Sequence, residues 1–526
     1  MTLSTPTTVR RSRLDALADA VVTVADRPSL AVESPFDAET VGEVPACSPD
    51  DVRDAFDRAR AARAEWADRP LSERIAVFEE FHDRVLDEQS SLLDVVQAET
   101  GKARLDAHEE AVDVAATARY YANHARSYLA SRRRTGAVPL LTRTTEHRKP
   151  VGVVGVISPW NYPLTLSISD AVPALLAGNA VVCKPDEGTP FTALRIRELL
   201  VESGLPADLF AVVTGRGDEL GEALVSASDY VCFTGSAEVG RTVAATAGRN
   251  LVDCSLELGG KNPMLVLADA DVDAAAENAA HACFSNAGQL CLSVERIYVD
   301  ADVREAFLDA FVHETRRLTL GAGYDFDYDV GTLTSAAQLE KVEAHVEDAV
   351  DEGASVLTGG RRREDVGPYA YEPTVLTDVT EEMTCATEET FGPVVAVYEA
   401  SGIADAVERA NEGPHGLNAS VWSGDTARAE QVAERVDAGT VNVNDGYAAA
   451  WASLDAPMGG VGDSGIGRRH GEVGMTRFTE SQTVATQRGR PLTRPAEVPR
   501  RLWTLLLNAN ERLTSRLTAW RRGGGG

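Results

Sequence analysis

Cys291 lies in FSNAGQLCLS, and its setting differs from that of the six other cysteines. Asn286, Gly288 and Gln289 precede it and Ser293 follows. Small and polar neighbours allow close backbone approach, which a sulfur attacking a carbonyl carbon needs. A thiolate is intrinsically nucleophilic, more so with a lowered pKa. A lone cysteine is also a common packed core residue, and the motif alone leaves both readings open. Glu257, in SLELGGKNP, ends an apolar run immediately before two glycines and a lysine. Desolvated there, a carboxyl rises toward the range of a general base; the alternative, in so acidic a chain, is a solvent-facing carboxylate. Asn161 stands between Trp160 and Tyr162 in PWNYP, after the apolar VGVVGVIS. Its side-chain NH2 can donate to a developing oxyanion, or it is a turn residue flanked by prolines.

Two further stretches suit a nucleotide. Lys184-Pro185-Asp186-Glu187 follows an apolar run; a lysine can bond ribose hydroxyls, and an acidic residue at a strand end selects a free 2′-OH. Gly235-Ser236-Ala237-Glu238-Val239-Gly240 joins a strand to a helix, but it is neither GxGxxG nor a P-loop, and alone it carries little.

These residues need strand ends to hold them. VGVVGVIS (151–158), NAVVCKP (179–185) and DYVCFTG (229–235) are short β-rich runs separated by helical text such as PFTALRIRELLVESG. That alternation predicts a parallel α/β sheet covered on both faces. Strand-helix text resumes after about 260, predicting a second α/β unit. Residues 1–30 read as a polar arm, and Ser48 to Ser131 as amphipathic helices opened by an Asp-rich cap. Beyond GTVNVN and the Gly-rich PMGGVGDSGIG comes β-prone TESQTVATQ. The stretch 488–526 carries nine arginines against Glu497 and Glu511, a net of +7, and ends in four glycines. Leu502, Leu505, Leu506, Leu513, Leu517 and Trp520 share one face of a helix there, with Trp503 and Leu507 off the stripe. Such a basic amphipathic helix docks on protein or lies on an anionic membrane.

The whole chain bounds these readings. Its 526 residues allow about three domains and need neither disulfide nor metal to fold. A formal charge of −30 repels phosphate backbones and argues against nucleic-acid partners. Only five of 51 basic residues are lysine. Abundant carboxylates with so little lysine suit a halophilic surface, although a GC-rich genome gives the same bias. The seven cysteines form no CxxC pair and no metal-ligand spacing, so no metal site is expected and the chain reads as cytoplasmic. No apolar run has transmembrane length, and no signal-peptide core follows the first arginines.

Taken in order, PWNYP, KPDE, FTGS, ELGGKNP, GQLC and EETFGP (388–393) resemble the NAD(P)-dependent aldehyde dehydrogenase superfamily from about residue 30 to 490. GVVGVISPWNYPLTLSISD, CFSNAGQLC and the run to GRRHG resemble a bacterial succinic semialdehyde dehydrogenase branch. The resemblance implies Cys291 as nucleophile, Glu257 as general base, and Asn161 with the Cys291 N–H as oxyanion hole. It implies NAD, with NADP possible, bound by Trp160, Lys184, Glu187, Gly235, Ser236, Leu258, Glu389 and Phe391. A general base at 257 argues against a CoA-forming relative; a non-catalytic member of the fold is the alternative, separated by assay with NAD and an aldehyde.

The implied architecture has a Rossmann-like cofactor domain (31–131 and 151–257, with 441–473) and a catalytic domain (258–440). Strands at 132–150 and 474–490 would join subunits into a homodimer or homotetramer, followed by a basic tail at 491–526. Tyr162, Phe284 and Ser453 are the expected substrate contacts, with Trp160, Tyr447 and Trp451 completing a tunnel. Ser169 and Ser285 stand where well-studied succinic semialdehyde dehydrogenases carry arginines. The expected specificity is therefore broad, with succinate semialdehyde accepted but not strongly favoured.

Overall fold

The computed structural model describes residues 6–523, with side chains to 515. The apolar runs form a six-stranded sheet in the order Gly465–Ile466, Asp253–Glu257, Tyr230–Thr234, Val153–Ile157, Ala180–Lys184, Phe210–Val212. Neighbours are parallel except Gly465–Ile466, which runs against Asp253–Glu257. The inner strands Val153–Ile157 and Ala180–Lys184 are buried almost throughout, as strands covered by helices on both faces are. From Val153–Ile157 the chain builds outward first through 180–184 and 210–212, then on the other side through 230–234 and 253–257. Beyond the carboxyl ends at such a reversal lies the crevice where open α/β sheets bind ligands.

A second sheet of seven strands runs Ser355–Thr358, Thr374–Thr377, Val394–Ala400, Val294–Asp300, Asn262–Val266, Asn418–Trp422, Thr440–Val443. The segment 441–473, expected with the cofactor domain, is divided. Thr440–Val443 pairs with Asn418–Trp422 in the second sheet, while Gly465–Ile466 returns to the first. A third, antiparallel sheet pairs Thr479–Gln487 with Thr142–Pro150 and that strand with Arg132–Arg134. Its outer strand starts at Thr479, because Gly471–Thr476 is helical.

Residues 6–30 are not a loose arm. Arg11–Ala18 is a helix whose Leu14 and Leu17 are buried in the core of the first domain. The helix Pro49–Asp68 starts at a capping box: Asp51 accepts from the Ser48 N–H, and Pro49 occupies a first-turn position with no N–H to satisfy. Residues Arg500–Gly523 form the basic helix. Leu502, Leu505, Leu506, Leu507 and Leu513 are exposed there, so Leu507 lies with the apolar residues in the open, and Asn510 Nδ2 donates to the Ala137 carbonyl. The Leu517 and Trp520 side chains, and Gly524 to Gly526, lie outside the described residues. Among those residues no helix is long and apolar enough to cross a membrane.

Candidate active site

Between the two large sheets lies a cavity of about 360 Å³ whose wall includes Asn161, Tyr162, Glu257, Cys291, Tyr447, Trp451 and Arg469. They come from five separate stretches of chain, so the fold and not sequence proximity assembles them. Asn161 follows the central strand Val153–Ile157. Its carbonyl accepts from Lys102 Nζ (2.7 Å) and from Asn286 Nδ2 (3.0 Å). Lys102 is fully buried and pairs with Glu110 (2.6 Å), which also accepts from the Leu164 and Thr165 N–H groups. Burial raises the Glu110 carboxyl, and Lys102 opposes that rise. The helix Arg104–Tyr128 thus fixes the Asn161 backbone through one ammonium. The Asn161 side-chain NH2 donates one hydrogen to the Gln289 carbonyl (3.1 Å), which leaves its second donor for an oxyanion.

Cys291 is set by backbone that bends sharply. Asn286 and Ala287 have positive φ (52° and 53°), and Gly288 follows at 71°. A Cβ on Gly288 would stand 2.1 Å from the Gly392 carbonyl oxygen, so this glycine is needed both for its conformation and for its close approach. Asn262, on the first strand of the second sheet, donates through Nδ2 to the carbonyls of Cys291 (2.7 Å) and Ser293 (2.8 Å). The sulfur opens onto the cavity. Desolvation, reinforced by the carboxyls of Glu389 and Glu257, pushes its thiol up to about 12. A base must therefore take the Cys291 proton.

Glu257 ends the strand Asp253–Glu257, facing the same cavity and 7% exposed. Its Oε1 is buried without a hydrogen-bond partner. Burial pushes the carboxyl up to about 7; Arg469 is the strongest group opposing the rise, and Asp170 adds to it. An unbonded carboxyl poised near neutrality is suited to accept a proton.

The residues expected to contact a nucleotide stand at neighbouring strand ends and loops. Lys184 is buried with its Nζ 3.7 Å from Glu187, whose side chain is half exposed. Ser236 caps the helix Ala237–Asn250, its hydroxyl accepting from the Val239 N–H (3.3 Å). Gly235 precedes that cap, so N–H groups at a helix start face the crevice, an arrangement suited to phosphate. Leu258 packs over Gly240, where a Cβ would fall 2.5 Å from the leucine. Glu389 accepts from the Gly260 N–H (2.8 Å) and is pushed up to about 7, chiefly by burial. Phe391 (φ 55°) meets Trp160 edge-to-face at 5.4 Å. Glu295 holds this loop by accepting from the Thr390 and Phe391 N–H groups (2.9 Å each) while paired with Lys261. These groups fit a dinucleotide: a buried cation beside a movable carboxylate, an open helix start and glycines that leave room.

Two expected substrate contacts lie elsewhere. Phe284 is buried in the second core, stacked on Phe311 at 6.1 Å, and borders a separate cleft. The helix Val272–Phe284 ends there, one turn before the loop reaches the site. Ser453 is exposed and its hydroxyl donates to the Ala449 carbonyl (2.7 Å), satisfying the end of a short helix instead of facing the cavity. Trp160 stands on the Phe391 side, outside the cavity wall. Ser285 bonds His281, and Ser169 bonds Arg469. The residues that sequence patterns did not single out are Lys102, Glu110, Asn262, Glu295 and Arg469. The buried lysines at 102 and 261, in a chain with only five, were the available signal for two of their pairs.

A model of the aldehyde dehydrogenase family matches residues 22–484. The chain belongs to the aldehyde dehydrogenase family. It is 50% identical over 484 residues to a Mycobacterium tuberculosis protein named "Putative succinate-semialdehyde dehydrogenase, NADP(+), 2", covering 92% of this chain and 93% of that one. A Methylomonas protein named 4,4'-diapolycopene aldehyde oxidase is 38% identical over 466 residues, covering 88% and 86%. Among solved structures, an aldehyde dehydrogenase from Brucella melitensis superposes with TM-score 0.86 at 31% identity, covering 93% and 100%. Staphylococcus aureus betaine aldehyde dehydrogenase in complex with NAD+ gives 0.84 at 30%, covering 90% and 96%. The tail beyond residue 484 lies outside the family match.

Proposed function

We propose that this aldehyde dehydrogenase oxidises an aldehyde to its carboxylic acid through a thioester on Cys291, using NAD and accepting NADP. The observation that carries the reading is the convergence of Cys291, Glu257 and Asn161 on the wall of one cavity. Glu257 takes the thiol proton as the sulfur bonds to the carbonyl carbon. The resulting oxyanion accepts from the second Asn161 N–H and from the Cys291 backbone N–H. Lys184, Glu187, Ser236 and Glu389 would hold the nicotinamide coenzyme, which would supply the acceptor for the hydride that the Cys291 thiohemiacetal loses in becoming a thioester. Glu257 gives up that first proton to solvent and then takes a proton from water, whose oxygen adds to the thioester carbon. Collapse expels the Cys291 thiolate and releases the acid.

The substrate range follows from the wall. Leu290, Leu417, Tyr447, Trp451, Leu454 and Met458 make it largely apolar. Arg469, the one lysine or arginine among its described residues, already pairs with Asp170 (3.2 Å). A substrate carboxylate would meet only a guanidinium already paired with Asp170, so succinate semialdehyde is one substrate among several. The relatives' names point toward a stronger preference. The test compares kcat/KM for succinate semialdehyde with that for pentanal and hexanal, using both coenzymes. A ratio within about a hundredfold, ~2.7 kcal/mol of discrimination, supports broad use; a larger one assigns the cavity to the carboxylated aldehyde.

A further inference from the structure

The cavity wall holds two buried polar atoms of opposite charge that lack hydrogen-bond partners: Glu257 Oε1 and Arg469 Nε. They arrive from distant parts of the chain. Glu257 closes its strand, and Arg469 follows Gly465–Ile466, the short strand that pairs antiparallel with it. No direct ion pair joins them within 4.0 Å among the described residues. Arg469 is only 3% exposed. Its Nη2 donates to Ser169 and to Asp170, and its guanidinium carbon lies 5.9 Å from the Trp451 ring centroid. The cation is therefore held rigidly while part of its hydrogen-bonding capacity is unused.

We propose that Arg469 is a positioning residue for the general base, a fixed guanidinium whose charge across the cavity lets the buried, unbonded Glu257 ionise. The inference rests on the reading of Glu257 as base. A carboxylate removed from water needs hydrogen bonds or a neighbouring cation to hold its charge, and Glu257 Oε1 has no hydrogen bond. The groups around it are few. Arg469 and Arg477 favour ionisation, as does Arg468, whose Cδ lies beside Gly459 next to the carboxylate. Asp170 opposes it but is itself paired with both Arg469 and Arg477. Cys291 faces Glu257 as a neutral thiol, with Glu389 beyond it. From the helix Arg104–Tyr128, Asp113 faces Arg469 and is pushed up to about 6 by burial. His470, next to Arg469, is driven down to about 3, chiefly by burial, and adds no positive charge. Arg469 thus serves Asp170, Asp113 and Glu257 together, and Glu257 is the one of the three on which the chemistry turns.

The test is the acid limb of thioester hydrolysis, followed as steady-state turnover after the first burst of reduced coenzyme. For Arg469→Gln the limb moves to higher pH by about one unit, because the neutral carboxyl gains relative to the charged one. Turnover recovers at alkaline pH, and Arg469→Lys stays within about 0.3 units of wild type. Asp170→Asn, which removes a like charge, moves the limb the opposite way. A limb unmoved in Arg469→Gln overturns the proposal, as does an unmoved Asp170→Asn limb should the glutamine variant not fold. A wild-type protein that yields no reduced coenzyme would instead refute the functional reading beneath it.

Discussion

At the scale of single residues, Cys291 and Glu257 form a matched pair of raised pKa values. Burial raises both: the thiol stays protonated until the sulfur bonds to carbon, and the carboxyl, near 7, is available as a carboxylate to receive the proton during that attack. The amide of Asn161 keeps one donor free because the other is tied to Gln289. We propose that Glu187 governs coenzyme choice. A carboxylate there accepts from a free ribose 2′-OH and repels a 2′-phosphate, whereas Lys184, fixed 3.7 Å away, attracts the phosphate. Because the Glu187 side chain is half exposed, it can turn from the phosphate, consistent with use of both coenzymes. Glu187→Gln is expected to shift the NADP-to-NAD ratio of kcat/KM toward NADP by about tenfold, ~1.4 kcal/mol. Initial rates with both coenzymes check this, and an unchanged ratio removes Glu187 from the choice.

At the scale of elements, site residues are presented where strands end and one loop bends. The Gly288 turn has no room for a side chain, so Gly288→Ala should displace the Cys291 loop and lower kcat by roughly a hundredfold, as a misplacement near 1 Å does. Circular dichroism would remain near wild type, and wild-type turnover would show that the loop tolerates the shift. This scale also separates what the sequence discloses from what it hides. Buried strands such as AVVCK announce themselves as short apolar runs, and Cys291, Glu257 and Asn161 become candidates only through the joint order of several motifs. Lys102, Asn262 and Arg469 act on partners 59, 29 and 212 positions away, beyond any local pattern. Phe284 and Ser453 misled for the same reason. Proximity to a motif fixes neither the direction of a side chain nor whether a helix end consumes its hydroxyl. The division of 441–473 between sheets likewise depends on edge pairing that composition does not reveal.

At the scale of the molecule, the antiparallel sheet of Arg132–Arg134, Thr142–Pro150 and Thr479–Gln487 stands apart from both large sheets, with the outer strand mostly exposed. We read it as the surface that joins subunits, so light scattering should return at least twice the chain mass of 56.1 kDa. A monomer would contradict that reading. The charge of −30 makes a second demand, since like charges repel in the folded state and salt shortens their range to a few ångströms. The melting temperature is expected to rise by several degrees from dilute buffer to 2 M KCl. Equal values would reduce the scarcity of lysine to codon composition.

The central claim is a thioester on Cys291 released by water that Glu257 activates. The most direct measurement mixes Glu257→Gln enzyme with coenzyme and aldehyde in a stopped-flow instrument and follows reduced nicotinamide beside wild type and Cys291→Ala. The account predicts no signal from Cys291→Ala, steady turnover from wild type, and from Glu257→Gln a slowed burst that still approaches one equivalent per site and then stalls, because hydroxide or buffer can take the thiol proton whereas water attacking the thioester loses its only positioned base. Glu257→Gln enzyme that turns over at the wild-type rate, or Cys291→Ala enzyme that still reduces coenzyme, would contradict it.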